Sequence, residues 1–135
     1  MRRKKTDRQK LADRLWKVIQ TYIRLRDNNQ CQRCGKKVEK SNCHISHVVP
    51  KSHGNILKYD ENNLKVLCYF CHLHWWHKNP IEAYEWFKDK FPERYKYIYE
   101  RKENIVKIGI YELQEMIEEY TDRIIGLEIK NGTQE

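Results

Sequence analysis

The sequence predicts an α+β fold in which a strand–loop–strand–helix unit is stapled by a metal ion and flanked by helices. Three observations predict it. Two Cys-x-x-Cys pairs, Cys31–Cys34 and Cys68–Cys71, bracket the middle of the chain. Between them lie short runs rich in β-branched residues, the signature of strands. Outside them, apolar residues recur at helical spacing. The chain divides into residues 1–28, a basic arm and helix; 29–79, the cysteine-bounded core; and 80–130, a helical extension of the same domain.

Met1 to Lys5 is a basic arm. A helix should start at Thr6 or Asp7, either of which can cap it, and run to about Arg26. Leu11, Leu15, Val18, Ile19, Tyr22 and Ile23 form its apolar face, and the opposite face is mostly Lys and Arg. Asp27-Asn28-Asn29 ends it and delivers the chain to the first cysteine pair. Residues 36–42 are polar and turn-like. Cys43 to Val49 reads as a short strand that Pro50 terminates. Residues 51–62, with Gly54, read as a polar loop, and Leu64 to Leu67 as the returning strand. Tyr69 to Lys78 then forms a short helix carrying His72, His74 and His77.

Asn79 as N-cap, Pro80 in the first position and Glu82 in the third open another helix, which stops before Pro92. A further helix covers about 93–102. The last, about 110–127, carries Ile110, Leu113, Ile117, Tyr120, Ile124 and Leu127 on one stripe. Its length falls short of the roughly three to four heptads of a coiled coil, so an intramolecular packing face is expected, with a homodimer through this helix as the alternative. Asn131 to Glu135 is expected to fray.

No apolar run approaches the length of a membrane span, and no signal-peptide core opens the chain, so no membrane partner is expected. Five cysteines, four of them paired at knuckle spacing, fit thiolate–metal bonds in a reducing, intracellular compartment better than disulfides. The net charge of +8 is polarised: residues 1–26 hold ten Lys or Arg against Asp7 and Asp13, which accounts for all of it. From Glu100 onward, nine carboxylates face five basic residues. A polyanion approached from the N-terminal side follows, with Arg2, Arg3, Lys4, Lys5, Arg8, Lys10, Arg14 and Lys17 as candidate nucleic-acid contacts. They suit phosphates rather than base edges, because nothing resembles a groove-reading motif.

Four thiolates close a tetrahedral zinc site, so Cys31, Cys34, Cys68 and Cys71 are the expected structural zinc ligands. A zinc ribbon places roughly 15–20 residues between its knuckles; here 33 separate Cys34 from Cys68. The insert is therefore the place to look for function. Cys43 is expected to pack beneath the zinc rather than bind it. Zinc alone leaves His47, Asn63 and His72 unexplained. Phosphodiester hydrolysis needs a neutral imidazole to take a proton from water and a divalent cation to neutralise the leaving oxygen, and an asparagine amide can keep the base aimed. His44, His53, His74 and His77 default to structural or solvated roles, and Trp75 and Trp76 to packing against the helices that follow.

The segments Ser46-His47-Val48-Val49-Pro50 and Asn63-Leu64-Lys65-Val66-Leu67-Cys68-Tyr69-Phe70-Cys71-His72 resemble the HNH (His-Me finger) endonucleases, in their zinc-clamped branch. The wider context, Tyr22 to Asp27 leading into Cys-x-x-Cys-Gly and then Tyr59 to Asn63, looks like the phage NinG/Rap recombination nucleases. The resemblance spans about residues 22–80 and implies a ββα-metal core. It also implies a DNA endonuclease acting on branched or recombination-intermediate DNA and leaving a 5′-phosphate and a 3′-hydroxyl, in the bacterial cytoplasm if phage-encoded. By the same resemblance His47 would be the general base, Asn63 its orienting residue, and His72 a ligand of catalytic Mg²⁺ or Mn²⁺. Many relatives carry Asp or His immediately before the base, as a second metal ligand; this chain has Ser46. His44, Asp60, His74 and His77 are the candidates to replace it. The rival readings are a non-catalytic zinc-bound DNA-binding accessory protein and a sequence-preferring nicking or restriction-type HNH nuclease.

Overall fold

The computed structural model describes residues 2–50 and 56–132, which form two compact units: Met1–Arg26 with Lys107–Glu135, and Asp27–Val106. The expected solvated role of His53, the loop around Gly54 and the fraying of 133–135 lie outside the described residues. Among these, no helix is long and apolar enough to cross a membrane.

In the first unit α1 (Asp7–Arg26) packs on α4 (Ile110–Gly132). Thr6 proves to be the cap of α1: its Oγ1 accepts from the Gln9 N–H at 3.2 Å, and Gln9 Oε1 accepts from the Thr6 N–H at 2.9 Å. This reciprocal box satisfies two donors that a helix start otherwise leaves open. Leu15, Ile19 and Ile23 on α1 and Leu113, Ile117 and Tyr120 on α4 are buried. The rings of Tyr22 and Tyr120 meet at 5.5 Å. The α4 stripe is thus covered within the chain over its first half. Ile110, expected in that stripe, is instead 46% exposed, and α4 continues through Asn131 and Gly132, where fraying was expected.

The second unit is built on β1 (His44–His47) and β2 (Leu64–Leu67), an antiparallel pair in which His44 faces Leu67, Ser46 faces Lys65 and His47 faces Leu64. β1 is shorter than the 43–49 run predicted, because the backbone N–H of Val49 goes to a side chain instead of the ladder. All four residues of β2 are buried, Lys65 among them. The predicted polar loop before β2 contains two short 3₁₀ turns, Ile56–Tyr59 and Glu61–Asn63, and the first buries Leu57 and Tyr59.

After β2, the segment Cys71–Trp76 winds as a π-helix, not the α-helix expected, with the His77 N–H donating to the His72 carbonyl. α2 (Pro80–Lys90) and α3 (Pro92–Arg101) follow. Asn79 does not cap α2 with its side chain; its carbonyl instead accepts from the Ala83 N–H. Trp75 packs edge-on to Trp86 and Trp76 to Tyr84, so both fix the π-helical segment against α2, as the sequence predicts.

Candidate active site

The cysteine cluster forms from turn chemistry. Gly35 sits at φ +77°, a conformation that disfavours side chains, and its N–H donates to the Cys31 carbonyl, closing the first knuckle. The Gln32 N–H donates to the Val66 carbonyl, and Asp27 Oδ2 accepts from the Val66 N–H at 2.9 Å, so this knuckle is sewn to β2. One sulfur from each of Cys31, Cys34, Cys68 and Cys71 lies within 4.8 Å of every other. The Cys34 and Cys68 sulfurs are 3.9 Å apart. Tetrahedral zinc with bonds of about 2.3 Å requires about 3.8 Å, so the four fit that ion. As acids they are unequal. Burial would raise the Cys31 thiol, but the backbone N–H groups of Cys34, Cys68 and Arg33 bring it to about 7. Burial pushes Cys71 up to about 12. A bound dication overrides such differences, since coordinated thiols lose their protons. Cys43 is buried but stands outside the cluster.

Asn63, wholly buried, ties three strands of chain together. Its Nδ2 donates to the Val49 carbonyl at 3.0 Å and the Leu57 carbonyl at 3.1 Å, and its Oδ1 accepts from the Val49 N–H at 2.7 Å. The Val48 N–H donates to the Asn63 carbonyl at 2.9 Å. The residues just after His47 are therefore held by a single carboxamide. His47 Nε2 lies 3.1 Å from the Lys58 carbonyl oxygen. A carbonyl only accepts, so this nitrogen carries the proton, and the neutral ring has its lone pair on Nδ1.

His72 lies at the centre of a row of imidazoles. Its Nδ1 is 2.9 Å from Nδ1 of His44, and its Nε2 is 3.1 Å from Nε2 of His77. The π-helical turn makes the second contact. Five residues along an α-helix are separated by about 140° around the axis, whereas the wider turn stacks residues five apart, and the two rings meet at 4.7 Å. Burial, then the neighbouring His77 and His44, hold the His72 imidazole down to about 4. The ring is therefore neutral at physiological pH, the state in which it can bind a cation.

Of the four candidates for a second ligand, His44 and His77 stand at His72, while Asp60 and His74 are engaged elsewhere. Asp60 accepts from the Asn62 backbone and from Tyr97 Oη at 2.7 Å; His74 stacks on Phe70. Ser46 is fully buried, and its hydroxyl receives a hydrogen bond from Lys65 Nζ at 3.0 Å. Lys65 was not anticipated. Its ammonium lies 3.3 Å from the centre of the Trp76 ring, and burial drives its pKa well below the ordinary lysine value. The one sequence signal was its place opposite Ser46 on paired strands.

The basic residues lie in the other unit. Lys10, Arg14 and Lys17 are exposed and share one stripe of α1, spaced by four and three residues. Arg2, Arg3 and Lys4 are exposed in the arm; Lys5 pairs with Asp13, and Arg8 donates to the Ile108 carbonyl.

Residues 31–75 match the family model for HNH endonuclease, a span covering about a third of the chain. No curated protein and no solved structure matches. The matched span begins at the first zinc-fitting cysteine and contains His47, Asn63 and His72. It implies nuclease activity in general, with DNA as substrate.

Proposed function

We propose that this protein is a zinc-stapled, divalent-metal-dependent DNA endonuclease, with His47 as general base, Asn63 as the residue that positions it and His72 as a ligand of the catalytic cation. The observation that carries the reading is the bond from His47 Nε2 to the Lys58 carbonyl. It fixes the tautomer whose Nδ1 can take a proton from water, the requirement for making a nucleophile at neutral pH. Asn63 supports the aim of that ring through the three bonds that hold Val49 and Leu57. When bound at His72, Mg²⁺ or Mn²⁺ supplies charge neutralisation at the phosphate and the leaving oxygen. Attack by the activated water and departure of the 3′ oxygen leave a 5′-phosphate and a 3′-hydroxyl. The Lys10–Arg14–Lys17 stripe and the basic arm supply phosphate contacts.

The substrate within this reading is branched or recombination-intermediate DNA, handled intracellularly in the manner of the NinG/Rap nucleases of phages. Its supports are the Tyr22–Asp27 and Tyr59–Asn63 segments and the polarised basic charge. Homodimerisation through α4 would use Ile125 and Ile129, which are exposed.

The test is cleavage of matched linear, flap, fork and four-way DNAs, with Mg²⁺ or Mn²⁺, by wild type and His47→Ala. Metal-dependent cutting that is lost in the variant, with zinc content and fold retained, is expected; a positioned base typically contributes about 10²–10⁴-fold. Equal cutting of linear duplex would refute the branched preference. Salt-sensitive binding with no turnover would replace the nuclease by an accessory DNA-binding module, and a single preferred sequence would replace it by a restriction-type enzyme.

A further inference from the structure

We infer that the catalytic cation is held by two imidazole nitrogens, Nδ1 of His44 and Nδ1 of His72, with His77 as the outer partner that sets the His72 tautomer. This rests on the nuclease reading and names the ligand set of the same site. The position just before the base, where the resemblance expects a ligand, is closed: Ser46 is buried and bonded to Lys65. His44 lies two residues earlier on β1, on the same face of the strand.

Its other nitrogen, Nε2, donates to the Ser41 carbonyl at 2.9 Å. That bond places the His44 proton on Nε2 and its lone pair on Nδ1, facing His72 Nδ1 at 2.9 Å. A ring N–H given to a backbone carbonyl is the usual support behind a metal-binding histidine. The Tyr69 ring stands edge-on to His44 and flanks the pair.

The three rings can exchange tautomers without gaining or losing a proton. With no cation bound, His72 Nδ1–H donates to His44 Nδ1, and His77 Nε2–H donates to His72 Nε2. With a cation at the two Nδ1 atoms, the His72 proton resides on Nε2 and is donated to His77 Nε2, whose own proton moves to its Nδ1. Each ring stays neutral in both arrangements. His77 is an outer partner rather than a third ligand. Among the described residues, no set of three that includes His44 and His72 brings its ligand atoms within 4.8 Å of one another. The same observation leaves the pair without a carboxylate, and the remaining positions go to water and substrate phosphate. Two imidazoles and no carboxylate select a transition-series dication over Mg²⁺.

The experiment is titration of the zinc-loaded protein with Mn²⁺, without DNA, followed by electron paramagnetic resonance. His44→Ala and His72→Ala are each expected to weaken Mn²⁺ binding by about 100-fold or more, and His77→Ala by about 10-fold. His77→Gln, whose amide oxygen can still accept from His72, should bind within a few-fold of wild type, a rescue that loss of packing alone does not predict. Spin-echo modulation on wild type should count two imidazole nitrogens at the Mn²⁺, a readout independent of how any variant folds. One nitrogen, undiminished binding by zinc-replete His44→Ala, or Mg²⁺ affinity equal to that of Mn²⁺ would overturn the assignment. Because no step requires DNA, a protein that binds Mn²⁺ through two imidazoles yet cuts nothing upholds the site and refutes only the nuclease.

Discussion

Replacing Asn63 by Ala removes three hydrogen bonds at a fully buried position and leaves the Val49 N–H, the Val49 carbonyl and the Leu57 carbonyl without that partner. A buried polar group stripped of its bond costs roughly 1–3 kcal/mol. Val49 is only half-buried, so water can reach its groups, and the Leu57 carbonyl still accepts from the Asp60 N–H at 3.1 Å. The lower end applies, about 3 kcal/mol in all. For a unit the size of Asp27–Val106, at ~4–8 °C per kcal/mol, the melting temperature should fall by about 12–24 °C. The rate should fall separately, because a base displaced by about an ångström loses on the order of 100-fold. Asn63→Asp should be worse than Ala, since it sets an anionic oxygen against two carbonyls. The assay is thermal melting of zinc-loaded variants, followed by single-turnover cleavage well below each transition. An Asn63→Ala protein that melts within ~2 °C of wild type, or cuts at the wild-type rate while folded, refutes the clamp.

Zinc removal by a strong chelator should unfold Asp27–Val106 and abolish cleavage, since structural zinc contributes about 10–16 kcal/mol of apparent binding energy in small domains; tryptophan fluorescence reports it, because Arg33 of the first knuckle lies 4.0 Å over Trp75. Lys65→Met should be near neutral in stability at pH 7 and should remove a pH dependence. A depressed lysine binds fewer protons folded than unfolded, so wild-type stability rises with pH until the ordinary value of 10.5. Chemical denaturation from pH 8 to 10 should show that rise in wild type, and a slope no smaller in the variant would contradict it. Substituting Lys10, Arg14 and Lys17 together by Gln should weaken binding to all DNA sequences alike and reduce the salt slope by about 1 per residue, measured by fluorescence anisotropy; an unchanged slope would place the DNA elsewhere.

Where periodicity or ligand spacing alone decided structure, the sequence was legible. The Cys-x-x-Cys pairs specified the cluster, and Leu15, Ile19 and Ile23 specified the buried face of α1; His47 and Asn63 stand out only through the HNH resemblance. What escaped depended on tertiary contacts. Lys65 alternates with the apolar residues of β2 and by pattern should reach solvent, yet Trp76 and Phe87 close over it. His77 lies off the His72 face in any α-helical reading, and only the widened turn brings it over. Leu57 and Tyr59 are buried by a turn too short to show a period.

Cys34 is the one exposed cysteine of the four. Peroxides, electrophilic drugs and competing soft metals therefore meet this sulfur first, and its oxidation would open the loop that carries both His47 and Asn63. An enzyme arranged this way would be silenced by oxidative stress at its structural metal, and reductant with fresh zinc would restore it only while oxidation had stopped short of the sulfinic acid.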